Sequence, residues 1–193
     1  LESGIIFSLP SNLELKLSEK LIELIPSAEM VRFGKNGSDV TSAAVRLARA
    51  YTGRDRVTVC GYHGWHDWYI GSTSRNLGVP KVVQDLSSTF IFNDSDSLES
   101  LFKSEPNGYA AVILEPTGTC EPEKGFLEGV KELCDEYSVI LIFDEIVTGF
   151  RVDMGGAQRK YGVTPDLATF GKAMANGMPI STIVGRLVTR EIK

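Results

Sequence analysis

The chain has 193 residues, is 42% hydrophobic and 23% charged, and carries a net charge of −5. This suits one domain with a real core, or part of a larger protein, and is too apolar for a disordered chain. The acidic balance gives no electrostatic case for nucleic acid or an anionic membrane as partner, and no apolar run approaches the roughly 20 residues of a membrane span.

The start, LESGIIFSLPS, lacks the basic region and long apolar run of a signal peptide. Three widely spaced cysteines, Cys60, Cys120 and Cys134, give neither a disulfide framework nor a zinc pattern. A reducing cytoplasm is the expected setting.

In chain order, Ser11-Asn12-Leu13-Glu14 after Pro10 has the form of a capping box. Leu13, Leu17, Leu21, Leu24 and Ile25 then recur at helical spacing until Pro26. EMVRFG reads as a short strand ending at Gly34. A helix beginning near Ser38 follows, with Val40, Ala43, Ala44, Leu47, Ala48 and Tyr51 on one stripe and Gly53 at its end. RVTVCG and YAAVILEP read as strands, FLEGVKELCDEY as a helix and VILIFDE as a strand before a glycine-rich loop. PDLATFGK and ISTIVG are two further strands.

Strands alternating with helices, several of them apolar throughout, indicate an α/β fold with a mostly parallel sheet covered on both faces. Ligands of such sheets gather at the carboxyl ends of the strands. Five separate segments place chemistry there: Gly34 to Ser38, Gly61 to His66, Glu115, Asp144 and Lys172.

The run Val139 to Phe143 leads straight into Asp144 and Glu145. A buried charge is costly without a partner, so this strand either ends in solvent or holds something cationic at its tip. An acid pair of a nucleotide hydrolase needs a phosphate cradle of the form G-x-x-x-x-G-K-[ST]. The stretch GKNGSDVT has a glycine, a lysine and a hydroxyl, but in another order, and no G-x-G-x-x-G follows a strand. A third reading pairs Asp144 with a protonated ring nitrogen, as in pyridoxal phosphate enzymes.

That reading needs a phosphate site, a reactive lysine and a flat group against the ring. NGSDV lies between a strand and a helix, where backbone N–H groups near Gly37 could face an anion. The plainer alternative is an N-cap by Ser38 or Asp39. Lys172 sits after a short apolar strand among Gly171, Ala173 and Gly177, where partial burial would favour a nucleophilic amine. GYHGWHDW offers Tyr62, His63, Trp65, His66 and Trp68. Its two histidines, the only ones in the chain and with no cysteine beside them, point away from a metal.

Together and in this order, these segments resemble the class III aminotransferases of the pyridoxal phosphate fold type I superfamily, and most of all the glutamate-1-semialdehyde 2,1-aminomutase-like proteins. The resemblance covers nearly the whole chain. It is carried by ELIPSAEMVRFGKNGSDVTSAAVRLARAYTGRDRV, by GYHGWHDW, and by LIFDEIVTGFR followed by PDLATFGKAMANGMPIS, which set Lys172 28 positions after Asp144. It implies a fold type I large domain over residues 1–193, without the family's N-terminal segment and C-terminal small domain.

The resemblance further implies pyridoxal 5'-phosphate held as a Schiff base by Lys172, with its ring nitrogen paired to Asp144. Tyr62 and Ile146 would pack on the two ring faces, Gly37 and Ser38 would bind the phosphate, and His63 would sit close to the ring. A small amino, keto or aldehyde substrate and a homodimer go with it. Two departures stand out. The phosphate loop reads Asn36-Gly37-Ser38-Asp39-Val40 where the family has Ser-Gly-Thr-Glu-Ala. The stretch TGTCEPEKGF after Glu115-Pro116 is shorter than in the aminomutases and lacks their Asn, which resembles aminotransferases instead. A nucleotide-binding domain, or a fragment without activity of its own, are the competing expectations.

Overall fold

The computed structural model describes residues 11–186. The ends of the chain expected to belong to the same domain, residues 1–10 and 187–193, lie outside the described residues.

Helix α1 (Asn12–Leu24) starts as its sequence demands. Ser11 N donates to Glu14 Oε2 at 2.8 Å, and Glu14 N donates to Ser11 Oγ at 3.3 Å. Leu21 and the capping Ile25 are buried and Leu17 and Leu24 pack partly buried against the same core, whereas Leu13 is exposed. Strand β1 (Met30–Gly34) leads into α2 (Gly37–Thr52), which Gly53 ends in the left-handed conformation. Val40, Ala44 and Ala48 are buried on α2 as expected. Ala43 and Tyr51 are exposed instead, and Thr41 and Val45 take their places. The helix packs flat on the sheet, so its buried stripe is rotated by about one residue from the purely apolar one.

Strand β2 (Arg56–Cys60) is followed by a stretch in which short elements are added to the expected pattern. These are α3 (Asp67–Ile70), α4 (Lys81–Gln84), the three-residue β3 (Ser87–Thr89) and α5 (Ser95–Ser104). Helix α5 is capped by Asp94, whose Oδ1 accepts from Ser97 N, and buries Leu98 and Phe102. Then come β4 (Tyr109–Leu114), α6 (Phe126–Glu136), β5 (Ile140–Asp144), α7 (Ala157–Tyr161), β6 (Leu167–Phe170) and β7 (Ser181–Gly185).

The seven strands form one sheet in the order β1-β7-β6-β5-β4-β2-β3. Pairs from β3 through to β6 are parallel, and β7 runs antiparallel to both of its neighbours. Six strands therefore point the same way, as a mostly parallel sheet requires. Strands β4, β5, β6 and β7 are buried at every position, which explains the apolar runs 109–114 and 140–143 of the central pair.

Side chains sort by the two-residue period. Leu141 and Phe143 join the core under α1, α5 and α6, while Ile140 and Ile142 join the core under α2. Asp144 continues the Ile140–Ile142 face and so emerges on the α2 side. Glu145 emerges on the other. Strand β7 begins at the same end of the sheet, where Ser181 Oγ donates to Asn36 O at 2.8 Å and braces the loop between β1 and α2.

Candidate active site

At the carboxyl ends of β1, β2, β4, β5 and β6 lies a cavity of about 440 Å³. The expected residues Gly37, Ser38, Tyr62, His63, Asp144, Ile146 and Lys172 all line it. Segments up to 135 residues apart thus converge on one space, as the sheet topology requires.

Asp144 is the fixed point. Its side chain is almost fully buried, and three donors hold the carboxylate. His63 Nδ1 lies 2.8 Å from Oδ2, while Ile146 N and Thr169 Oγ1 lie 3.1 and 3.3 Å from Oδ1. An ionised carboxylate only accepts, so Nδ1 of His63 carries the proton. The opposite ring nitrogen, His63 Nε2, is buried and has no partner among the described residues. Trp68 stacks near the His63 ring and Tyr69 meets it edge-on. Leaving one donor or acceptor unmade costs about 1–3 kcal/mol, so three bonds to one carboxylate are a substantial offset to its burial.

Glu145, the neighbouring carboxylate, has a different job. It is fully buried and accepts from Ala157 N at 2.7 Å, from Gln158 N at 3.0 Å and from the Thr148 hydroxyl. Gln158 Oε1 in turn accepts from Ser27 N at 2.9 Å. Burial raises the Glu145 carboxyl above the usual carboxylate range, against these bonds. Glu145 ties the end of β5 to α7 and to the turn after α1, and faces away from the cavity.

The start of α2 reconciles the two readings of NGSDV. The cap is Asn36 rather than Ser38 or Asp39: Asn36 Oδ1 accepts from Asp39 N at 3.1 Å, and Asp39 Oδ2 accepts from Asn36 N at 3.0 Å. Asp39 is thereby turned back onto the loop. The N–H groups of Gly37 and Ser38 and the Ser38 hydroxyl keep no partner among the described residues and remain open to an anion. A Cβ at Gly37 would stand 3.3 Å from Ile146 Cγ2, so glycine keeps the floor of the cavity open there. At Gly64, φ is 101° and a Cβ would fall 2.3 Å from Ser38 Oγ.

Tyr62 is 60% exposed at the cavity mouth, and its N–H donates to Glu115 Oε2 at 2.9 Å. Lys172 follows β6 with φ of 41°, a left-handed conformation that a lysine adopts only when its surroundings impose it. Its residue is exposed, so the expected partial burial is not found among the described residues. Two contributors carried no sequence signal: Thr169, which faces Asp144 across the β5–β6 register, and Thr41, whose hydroxyl lies 3.0 Å from His63 O and 3.2 Å from Ser38 O. Cys60, beside this site, is pushed up to about 11 by burial and the nearby Glu115.

The model of the aminotransferase class-III family matches residues 4–192. The chain belongs to the class III aminotransferases. A 3-aminobutyryl-CoA aminotransferase of Cloacimonas acidaminovorans (strain Evry) is 44% identical over 95% of the chain and 45% of its own length. An omega-transaminase from Sphaerobacter thermophilus superposes with a TM-score of 0.90 at 33% identity, over 100% of this chain and 48% of that one. A glutamate-1-semialdehyde aminomutase from Pseudomonas aeruginosa PAO1 superposes with a TM-score of 0.86 at 27% identity, over 98% of this chain and 44% of that one. The expected kinship and fold type I architecture hold, and this class III aminotransferase chain spans about half the length of the relatives it matches.

The cofactor that goes with this family is pyridoxal phosphate. The cavity fits it. Free N–H groups and a hydroxyl at a helix start suit a phosphate, a buried carboxylate suits a protonated ring nitrogen, and Ile146 and Tyr62 offer surfaces for a flat ring. Among the described residues, no helix is long and apolar enough to cross a membrane.

Proposed function

We propose that this chain is the large, cofactor-binding part of a pyridoxal phosphate-dependent enzyme that moves an amino group onto or off a small amino, keto or aldehyde compound. The observation that carries this reading is the convergence of Asp144, His63, the open α2 start and Lys172 on one cavity. In it, Lys172 would hold the cofactor covalently, Gly37 and Ser38 would bind its phosphate, and Asp144 would pair with its ring nitrogen. Ile146 and Tyr62 pack on its two faces. When bound, the cofactor supplies an electron sink for the negative charge that develops when a proton leaves the substrate carbon.

The protein's own contributions follow from the geometry. Asp144, held by three donors, keeps a proton on the ring nitrogen by presenting a negative charge that cannot turn away. His63 acts through Asp144: its Nδ1–H fixes the carboxylate's orientation. Lys172 Nζ would take and return the proton at the substrate carbon, as general base and then acid.

Transfer between molecules is the preferred form. The 44%-identical relative is an aminotransferase, and the short TGTCEPEKGF loop departs from the aminomutase pattern. Three free cysteines, one of them exposed, support a cytoplasmic setting. Exposed Tyr62, Trp65, Val147 and Met178 around the cavity mouth support a homodimer that covers it.

The test is cofactor trapping. The chain is mixed with pyridoxal phosphate, reduced with borohydride, digested and mapped by mass spectrometry. The label is expected on Lys172 and is absent from Lys172→Ala. A folded chain carrying label only on other lysines sinks the proposal.

A further inference from the structure

Resting on that functional reading, we infer that Lys35 is the receptor for an anionic group of the substrate, a carboxylate or a phosphate, at the mouth of the cavity. Lys35 lines the cavity, is exposed, and makes no hydrogen bond or ion pair with any described residue. Of the described residues on the cavity wall, Lys35 and Lys172 are the only lysines or arginines. Lys172 is committed to the cofactor, which leaves Lys35 as the remaining cation.

The acidic groups nearby do not neutralise it. Asp144 is paired with His63, Glu115 accepts from Tyr62 N, and Asp39 is folded back onto Asn36 N. The helix start has its own donors in the Gly37 and Ser38 N–H groups and the Ser38 hydroxyl, so a phosphate there is served without a lysine. The apolar Trp65, Met178 and Ile180 share the wall with Lys35. A cation bordered by apolar surface is less well solvated than one in open water and gains more from an incoming anion. An amino compound with a negative group distant from its amine would use both ends of this cavity: the amine at Lys172, the anion at Lys35.

The experiment uses the chain loaded with pyridoxal phosphate, in wild-type, Lys35→Met and Lys35→Arg forms. Glutarate, a dicarboxylate with no amine to react, is titrated against Trp65 fluorescence, with Trp65→Phe as the blank and uncharged glutaramide as the comparison. Cofactor affinity is measured in parallel from the absorbance of the loaded chain. Lys35→Met is expected to weaken glutarate binding roughly five- to tenfold, with glutaramide and cofactor affinity unchanged and Lys35→Arg within about twofold of wild type. The glutarate effect should shrink at high salt.

A loss of cofactor affinity with unchanged glutarate binding would assign Lys35 to the cofactor phosphate and overturn the inference. Unchanged values throughout would make Lys35 a solvated surface charge and overturn it too. Failure of wild type to attach the cofactor at Lys172 brings down the functional reading first, and the inference with it.

Discussion

Gly64 and Ser38 are 26 positions apart in sequence, yet they touch across the cavity wall. A side chain at Gly64 meets two penalties. Its φ of 101° lies where L-residues lose about 1–2 kcal/mol, and its Cβ would drive Ser38 Oγ out of place. Gly53 offers the matched control, with φ of 68° and open space around it. Gly64→Ala is expected to lower thermal stability and to abolish trapping of the cofactor at Lys172. Gly53→Ala should cost about 1 kcal/mol of stability and leave trapping intact. Equal trapping in both variants would remove Ser38 from the phosphate site. Lys172, held at φ of 41°, retains backbone strain at the rim of the same cavity, beside the start of α2.

At the scale of elements, the end of β5 divides two adjacent carboxylates between the two faces of the sheet. Asp144 serves the cavity, whereas Glu145 fastens α7 and the turn after α1. Because burial raises the folded Glu145 pKa above its unfolded value, folding takes up a proton between the two. The stability this group gives is therefore full at acid pH and lost as pH rises through that window. Wild type should gain stability relative to Glu145→Gln as pH falls through the raised folded pKa of Glu145 toward the ordinary carboxylate range, as read by parallel thermal melts. A gap that is flat with pH would show that Glu145 is ionised when buried.

Six of the seven strands and helices α1, α2 and α6 were legible in the sequence because they are periodic or apolar; α5, which fully buries only Leu98 and Phe102, was not. Asp144 and Lys172 were legible at strand ends and Gly37, Ser38, Tyr62 and His63 in the loops after strands, whereas Ile146 was placed only through the family resemblance. The short α3, α4 and β3 were not legible, because four residues or fewer carry no period. Nor were the roles of Thr41 and Thr169 or the division between Asp144 and Glu145. Those depend on cross-strand register and on which face α2 covers, and neither is a local property.

For the whole molecule, half the length of the matched relatives is present, and the cavity mouth carries exposed Tyr62, Trp65, Val147 and Met178. Apolar groups gathered around an opening favour association over a free monomer. Sedimentation velocity should find the chain as a dimer, and replacing Val147 and Met178 by serine should shift it toward monomer. A wild-type chain that sediments as a monomer at all concentrations tested counts against the homodimer.

The self-capped start of α2 has a bearing on the life of the protein beyond catalysis. Since Asn36 and Asp39 complete the first turn between themselves, the helix does not wait for a phosphate in order to form. The receptor is built in advance, and its occupant arrives as a guest. In the proposed reading, loading would stabilise the folded state by mass action, and the cofactor could leave, once its bond to Lys172 is broken, and return without the helix having to re-form.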